Sequence, residues 1–441
     1  MRRAVAICLL LAAVPAHAGG MWLPVRGVRS LARGGAFVAG ADDADALWQN
    51  PAGLAHAAGD GKRALLFDLA LVYQPIEFTA LDGTTVSNEQ PTQPVPSVAG
   101  SLGIGERLVI AGGIAAPYAA LHRYPTDSAA RFASVSWSGS AFVVATVGVA
   151  YAVNDELRVG ATLQNFFSKL SWSVVMSGCP PTATCDDADR TFDMPVEIDQ
   201  TDYLSPSGSV GLQYDVSPYA TLGLAVQAPT RVAGSGSLAA KLPTNLMFDS
   251  GRITGDEIAV SYTLPPSIRL GVEAHPLPRL RVEAALDIEL WSMHDEITLD
   301  TNKIAIENVV GGPYAFGDMT IARDYGNSYS PSLGVEYHAP LLVVGAGYAY
   351  ESAAAPPSTV SPLTVDSAKH LFAIGGGYED EGWQIGVAIA YVTAADVEVS
   401  LDDAKVTRLA PLRGAPVDAR VNAGSYTTSF VVAGLRFARR W

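Results

Sequence analysis

The sequence lacks any long apolar run after residue 18, although 49% of its 441 residues are hydrophobic. A membrane-spanning helix needs roughly 20 consecutive apolar residues, so this absence argues against a helical membrane protein. Only 17% of the residues are charged, with 44 acidic against 29 basic. The acidic balance argues against nucleic acid as a partner. The apolar residues must therefore follow some other repeating pattern.

Sequence motifs of enzymes and metal sites are also missing. The chain contains no G-x-S-x-G, no H-E-x-x-H and no glycine loop with the spacing that cradles phosphate. The histidines beyond residue 18 are scattered, whereas a catalytic nucleophile needs an oriented base beside it. We therefore expect no enzymatic activity, no cofactor and no metal site.

Cysteine is rare, with three residues in the whole chain. Cys8 lies near the N-terminus, while Cys179 and Cys185 lie close together in CPPTATC. In an exported protein such a pair favours a disulfide that closes a short loop. Free thiols or half of a metal site remain the alternatives, and no histidine or second cysteine pair supports zinc.

Residues 1–18 have the features of an export signal that is later removed. Arg2 and Arg3 precede an apolar stretch over 4–14, and Ala16-His17-Ala18 provides a cleavage site. The apolar stretch is too short for a membrane anchor, which needs roughly 20 residues. Without Arg2 and Arg3 the formal charge changes from −15 to −17. We expect an exported chain that begins near Gly19.

The pattern that replaces long apolar runs has a period of two. It is clearest over 279–291, RLRVEAALDIELW, where apolar and charged residues alternate. Such alternation predicts a strand, and this one is longer than the ~5–6 residues of an ordinary globular strand. A transmembrane strand needs about 9–11 residues with one face in lipid. Similar patterns occur over 145–151, 267–274, 328–337 and 383–391, and in the stretch that ends at Trp441.

Short and long connections alternate between these strands. Six short and seven long connections give thirteen, and hence fourteen strands, an even number as expected of a single-chain bacterial barrel. The short ones are 104–107, 153–155, 216–219, 275–278, 338–340 and 379–382, and the long ones lie near 74–95, 117–138, 174–202, 228–255, 300–327, 352–366 and 400–424.

These features predict an all-β protein, a monomeric 14-stranded antiparallel transmembrane β-barrel over residues 63–441. A soluble β-sandwich or propeller is the alternative. Either would have shorter strands, and no repeat of 40–50 residues typical of propellers is present. Only a closed barrel satisfies the hydrogen bonds of every strand within lipid.

Residues 19–62 differ from the rest, since they are rich in glycine and contain one short helical pattern, ADDADALWQNP. Asp42 or Asp43 is expected to cap this helix, and Pro51 to end it. Pro51 also disfavours a helical conformation at Asn50. A small periplasmic extension is one interpretation. We prefer burial in the lumen as a hatch, because an apolar segment with little helix would be poorly soluble.

Residues 26–55 resemble the hatch of the FadL-like family of outer-membrane fatty-acid transporters. In this segment a glycine-rich stretch leads to the pair Asp42 and Asp43, and then to Asn50-Pro51-Ala52 followed by Gly53. The stretches 262–292 and 366–379 and the final strand are similar to later parts of the family. The resemblance therefore extends over the whole mature chain.

The resemblance implies a fourteen-stranded barrel plugged by its hatch in the outer membrane of a Gram-negative-type bacterium. It implies passive uptake of long-chain fatty acids or other hydrophobic small molecules. Lipopolysaccharide would surround the barrel, and the barrel-assembly machinery would insert it. The alternatives are an aromatic-hydrocarbon channel of the same family, an open porin, and, from another class, an outer-membrane enzyme such as a lipase-like barrel.

In this family a lipophile enters through an apolar groove in the outer loops and leaves through a gap at a distorted third strand. Two features of the sequence fit these roles. Gly112 and Gly113 in the third strand predict a kink, or alternatively a wall packed closely against the hatch. The stretch 237–248 predicts either a groove with one cation or ordinary loop packing, through Leu238, Lys241, Leu242, Leu246, Met247 and Phe248.

Charged residues expected in the lumen alternate in sign along two neighbouring strands. As catalytic groups they would be paired carboxylates for acid and base catalysis. A buried ion-pair network that braces the hatch is the favoured interpretation, since barrel interiors are ordinarily polar. The residues are Arg269, Glu273, Arg281, Glu283, Asp287 and Glu289.

Overall fold

The computed structural model describes residues 27–117, 121–185, 189–301, 303–413 and 419–441. The predicted signal peptide, residues 1–18, lies outside the described residues. Within the described part of the chain, no helix is both long and apolar enough to cross a membrane.

Fourteen antiparallel strands form a closed barrel, which confirms the predicted fold class. Each strand pairs with the next along the chain, and β14 pairs with β1 to close the sheet. The strands are β1 (Arg63–Tyr73), β2 (Thr92–Ile104), β3 (Leu108–Ala115), β4 (Ala141–Ala152), β5 (Leu157–Ser177), β6 (Asp193–Ser217), β7 (Ala220–Gln227), β8 (Ser267–Leu277), β9 (Leu280–Glu289), β10 (Ser328–His338), β11 (Leu342–Glu351), β12 (Lys369–Asp380), β13 (Trp383–Ala394) and β14 (Gly424–Arg440).

Alternation along the strands separates an apolar outer face from a mixed inner face. In β1, Leu65, Phe67 and Leu71 are exposed, whereas Leu66 and Asp68 between them are buried. Successive side chains of a strand point to opposite faces of the sheet. The exposed apolar row therefore faces lipid, and the buried row faces the lumen.

The connections follow the predicted alternation, but several boundaries differ. The loops predicted near 228–255 and 300–327 are longer than expected, since β8 begins at Ser267 and β9 ends at Glu289. All six predicted short turns join neighbouring strands at one end of the barrel, here called the turn end. The predicted loop 174–202 is too long, because β5 extends to Ser177 and β6 begins at Asp193. These strand ends continue beyond the barrel wall, since their apolar residues are buried in the core of the long loops.

The long connections form a second layer at the opposite, loop end. Their strands continue the pairing of β6 through Thr230–Ala240 and Glu257–Leu264, and they enclose a large apolar cluster. The remaining strands are Ile76–Ala80, Thr85–Ser87, Arg252–Thr254, Glu296–Asp300, Ala305–Glu307, Tyr314–Ala315, Met319–Ala322 and Val397–Val399, and the 3-10 helices are Ala129–Phe132, Arg190–Phe192, Leu246–Phe248, Trp291–Met293, Pro357–Thr359 and Pro411–Arg413.

The N-terminal segment, described from residue 27 to 62, contains α1 (Val28–Ala32), α2 (Ala46–Gln49) and a 3-10 helix over Pro51–Ala57. Of the two predicted caps, Asp43 accepts the backbone N–H of Asp45 at 2.9 Å just before α2 and also pairs with Arg436, whereas Asp42 pairs with Arg29. The N-cap position itself is Asp45, which makes no side-chain cap bond. Asn50 is extended, with φ −152° and ψ 103°, as expected before proline.

Candidate functional site

The N-terminal segment lies inside the barrel and contacts all fourteen strands. It reaches β1 through Asp68, β9 through Glu283, and β13 through packing of Val28 and Leu31. On the other strands a wall glycine makes the approach possible, since a Cβ atom there would lie within 3.0 Å of the segment. These glycines are Gly103, Gly113, Gly148, Gly160, Gly211, Gly223, Gly271, Gly334, Gly347, Gly375 and Gly434.

Buried ion pairs join the segment to the wall. The guanidinium of Arg33 is fully buried and donates to Glu273 at 2.5 Å and Glu283 at 2.9 Å. Glu283 also accepts the backbone N–H groups of Val38 and Ala39, at 2.7 and 2.8 Å. Backbone N–H groups that bind a carboxylate fix the position of a chain that has little regular structure. The alternating charges of β8 and β9 thus brace the segment.

The acidic pair of the segment lies between arginines of the segment and of the wall. Asp42 binds Arg29 at 2.5 Å and Arg281 at 2.6 Å, and Asp43 binds Arg436 at 2.7 Å. Burial alone would raise the pKa of Asp42, but Arg281 and Arg29 outweigh it and hold that pKa well below its usual value. Both carboxylates are thus charged partners in a continuous network.

The Asn-Pro-Ala-Gly stretch, residues 50–53, joins two parts of the N-terminal segment to each other and to the barrel wall. The Asn50 amide is fully buried and donates to the carbonyls of Val38 at 2.9 Å and Leu212 at 3.1 Å. Its oxygen accepts the N–H of Ala52 at 3.2 Å and so caps the 3-10 helix that Pro51 begins. At Gly53 a Cβ atom would lie 2.0 Å from the Ala41 carbonyl oxygen, so a larger residue would force the two chains apart.

An internal cavity of about 140 Å³ lies between the segment and the long loops. The segment contributes Gly34, Gly35, Val38 and Gln49 to its floor. The rest of the lining divides into an apolar part, which includes Ile76, Leu121, Leu363, Val365, Leu371 and Phe430, and a charged part formed by Arg269, Asp287, Glu289, Glu351 and Lys369. Such a mixture of apolar walls with a few placed polar groups is typical of small-molecule sites.

Both cations of this cavity are already bound. The Lys369 amine donates to Glu351 at 2.9 Å and to Asp366 at 3.2 Å. Burial raises the pKa of Asp366 to about 6, although Lys369 opposes this effect. Arg269 donates to Asp287 at 3.2 Å and to the carbonyl of Trp48 at 2.7 Å. Each cation of the lining is therefore already paired with at least one carboxylate.

Further cavities adjoin the segment. One of about 40 Å³ touches Val28, Trp48, Ala115 and Pro117 where β3 ends. Another of about 930 Å³ is an open basin at the turn end, with Asp42 and Glu273 in its wall. Between the cavity at the loop end and this basin lies the N-terminal segment.

The groove residues predicted from the sequence do not surround one open site. Leu238 and Phe248 are buried in the apolar core of the long loops, and Leu242 and Met247 pack against it. Leu246 is 82% exposed, and Lys241 is also exposed. Loop packing thus accounts for four of these six residues, and two remain available at the surface.

Gly112 and Gly113 lie in a regularly paired part of β3. The register from Leu108 to Ala115 is continuous with both neighbouring strands. A Cβ atom at Gly113 would lie 2.9 Å from Trp48 and 3.0 Å from Leu47, whereas at Gly112 its nearest contact would be at 3.7 Å. Gly113 thus allows close packing on the segment, while β3 itself ends two residues before Pro117.

Cys179 and Cys185 are joined by a disulfide in the connection between β5 and β6. Arg413 from another long loop donates to Sγ of Cys179 at 2.9 Å and to the carbonyl of Ala183 at 2.7 Å. The pair therefore shapes the outer tip of the molecule, far in sequence and fold from the cavity lining.

A closed barrel with a lipid-facing apolar surface, an internal cavity and a segment beneath it has the architecture of a membrane transport protein. The family comparison is specific: the model of the outer membrane protein transport family (OMPP1/FadL/TodX) matches residues 9–433. The chain belongs to this family, which confirms the resemblance, and the protein is located in the outer membrane. No curated protein sequence matches the chain.

Solved structures support the same fold. A FadL homologue from Pseudomonas aeruginosa superposes with a TM-score of 0.77 at 16% identity, over 96% of this chain and 99% of that one. The toluene transporter TodX of P. putida gives 0.66 at 17% identity, over 97% and 99%. The toluene transporter TbuX of Ralstonia pickettii gives 0.65 at 18% identity, over 94% and 98%.

Two features of the site were missed by sequence reasoning. The charged group around Lys369 joins the end of β11, the following loop and the start of β12, which are separated along the chain. The wall glycines leave a signal, since many of the 42 glycines occupy inward-facing strand positions. That signal identifies a crowded lumen once the inward face of each strand is known.

Proposed function

We propose that the protein carries long-chain fatty acids or other hydrophobic small molecules passively across the outer membrane. Aromatic hydrocarbons are the alternative substrates, favoured by the likeness to two toluene transporters. The observation that supports this proposal best is the internal cavity with its partly apolar lining. An alkyl or aryl group gains free energy there, at about 25 cal/mol for each Å² removed from water.

In this proposal residues 19–62 are a hatch, and residues 63–441 are the barrel that it plugs. A lumen of fourteen strands is too wide for wall side chains alone to fill. The wall glycines and ion pairs support a fitted but removable plug, because water can replace the ion pairs and backbone contacts when the segment moves. The small cavity at the end of β3 supports an exit through the side wall near Pro117.

Catalysis is not part of this function. The buried carboxylates of β8 and β9 are held by arginines and by backbone N–H groups of the hatch, and this favours a structural role over acid–base chemistry. We expect a monomer that is surrounded by lipopolysaccharide and inserted by the barrel-assembly machinery.

An engineered disulfide between the hatch and the barrel wall tests whether the hatch must move during transport. An ideal Cβ atom at Gly345 lies 3.5 Å from Cβ of Ala32, which is within the range that a disulfide needs. The double variant Ala32→Cys/Gly345→Cys should therefore join hatch and wall when oxidised. Uptake of a radiolabelled long-chain alcohol and a radiolabelled fatty acid by whole cells should stop, and a reductant should restore it.

Each single cysteine variant and the wild type, with and without reductant, serve as controls, since the reductant also reaches Cys179 and Cys185. Equal uptake by the fully oxidised and the reduced double variant would show that transport needs no movement at this contact. The hatch mechanism would then be wrong, although transport by another route would remain.

A further inference from the structure

The charges that face the internal cavity are dominated by carboxylates. Three acidic residues, Asp287, Glu289 and Glu351, line it together with two cations, Arg269 and Lys369. The acidic partners are also the more accessible ones: the Asp287 side chain is 27% exposed against 5% for Arg269, and Glu351 is 19% exposed against 9% for Lys369. A molecule in the cavity therefore meets carboxylate oxygens before it meets a cation.

The two cations have little capacity left for a ligand. Every guanidinium nitrogen of Arg269 donates a hydrogen bond, to Asp287, to the carbonyls of Trp48 and Gln49, and to Gln227. The Lys369 amine uses two of its three donors on Glu351 and on Asp366, and Asp366 is itself fixed by the N–H groups of Ala354 and Ala355. A carboxylate ligand would have to displace one of these acids.

A third arginine, Arg323, lies behind the lining of the cavity. It is only 1% exposed and donates through Nη1 to the hydroxyl of Thr364, which lines the cavity in its place. Its Nε and Nη2 are buried without a hydrogen-bond partner among the described residues, and its guanidinium lies 5.8 Å from the centroid of the Tyr325 ring. An anionic head group in the cavity would thus lose its hydration while Thr364 separates it from this buried cation.

We propose that this cavity selects lipophiles without an anionic head group, such as long-chain alcohols or amines, and discriminates against carboxylates. The inference rests on the proposed transport function and narrows its substrate class. A hydroxyl or ammonium donor can bind Asp287 or Glu351 while the alkyl chain lies against the apolar wall. A fatty-acid anion has the same chain but repels these groups.

Three ligands of equal chain length test this selectivity: 1-decanol, decylamine and decanoate. Calorimetric titration of the purified full-length protein in a nonionic detergent at neutral pH should give decanoate the weakest affinity, by about tenfold or more. The variants Glu351→Gln and Asp287→Asn should each reduce this gap, because they release part of a cation. Glu398→Gln removes an exposed carboxylate of the outer strand Val397–Val399 and should leave the ratio unchanged.

Decanoate binding as tight as that of decanol would overturn the selectivity, as would a ratio that neither cavity variant alters. If decanoate is preferred, the transport function still stands and only its substrate class is wrong. If none of the three ligands binds and the disulfide lock leaves uptake unchanged, the transport function itself fails as well.

Discussion

The two interiors of this protein are built in different ways. Inside the barrel, the contact between hatch and wall combines buried ion pairs such as Arg33 with Glu273 and Glu283, backbone atoms that approach wall glycines, and two small apolar clusters. In the long loops, the interior is a single large apolar cluster around Trp172, Phe248 and Leu299. The first contact is mixed and includes many charged and backbone groups, whereas the second is mainly apolar.

This difference matches two different tasks. When two packed apolar surfaces separate, their stabilisation is lost, because water does not form favourable contacts that replace it. Ion pairs and backbone hydrogen bonds can be replaced by water when a chain moves. The hatch can therefore leave the wall at lower cost than the long loops can separate, and we expect movement to concentrate at the hatch.

Deletion of residues 19–62 with the export signal retained should give the largest effect. If the hatch fills the lumen, the empty barrel becomes a wide aqueous channel. Planar-bilayer conductance of the purified protein measures this, and heat-modifiable migration in electrophoresis shows that the barrel is still closed. A folded deletion variant that conducts no better than the intact protein would remove the basis for a plug.

Gly347→Ala should loosen the hatch without removing it. A Cβ atom there would lie 2.0 Å from the Arg33 carbonyl carbon and 2.2 Å from the Gly34 nitrogen, so backbone must shift at a cost of about 1–3 kcal/mol. Gly345→Ala, on the same face of the same strand, meets Ala32 and the Val335 carbonyl oxygen only at 3.5 Å, an ordinary contact distance, and serves as the matched control. Conductance should rise for the first variant only; equal conductance of both would mean that close packing does not hold the hatch.

The barrel itself follows from the sequence more directly than its contents do. Alternation over 279–291 and the rhythm of short and long connections predict fourteen strands, because period and length depend on local residues. The end of β5 at Ser177 depends on packing between distant loops, and the alternation alone does not reveal it. The same holds for the group around Lys369, because Glu351 meets Lys369 only through the pairing of β11 with β12, although Asp366 is only three residues away.

Asn50→Ala should have an intermediate effect. The variant removes the buried amide that donates to the carbonyls of Val38 and Leu212 and accepts the N–H of Ala52, which costs about 1–3 kcal/mol. The Val38 carbonyl keeps its bond from Gln213. Asn245→Ala in the long loops removes a similar cap, to Met247, at a half-buried position. Only the Asn50 variant should show brief openings in single-channel recordings. Openings in both variants, or in neither, would contradict a special role of Asn50 in holding the hatch.

Removal of the disulfide should have the smallest effect on transport. Cys179→Ser/Cys185→Ser opens a loop of six-residue separation at the outer tip, and the chain-entropy model assigns such a short loop about 2 kcal/mol. This loss is local, because the tip packs on the long loops and not on the hatch. Limited proteolysis should therefore cut near residues 180–185 faster, while conductance and uptake stay as in the wild type. Peptide mass mapping of the wild type should find the two cysteines linked. If two free thiols are found, the predicted disulfide does not form. If the serine variant leaks ions, the packing of the long loops and the position of the hatch depend on each other.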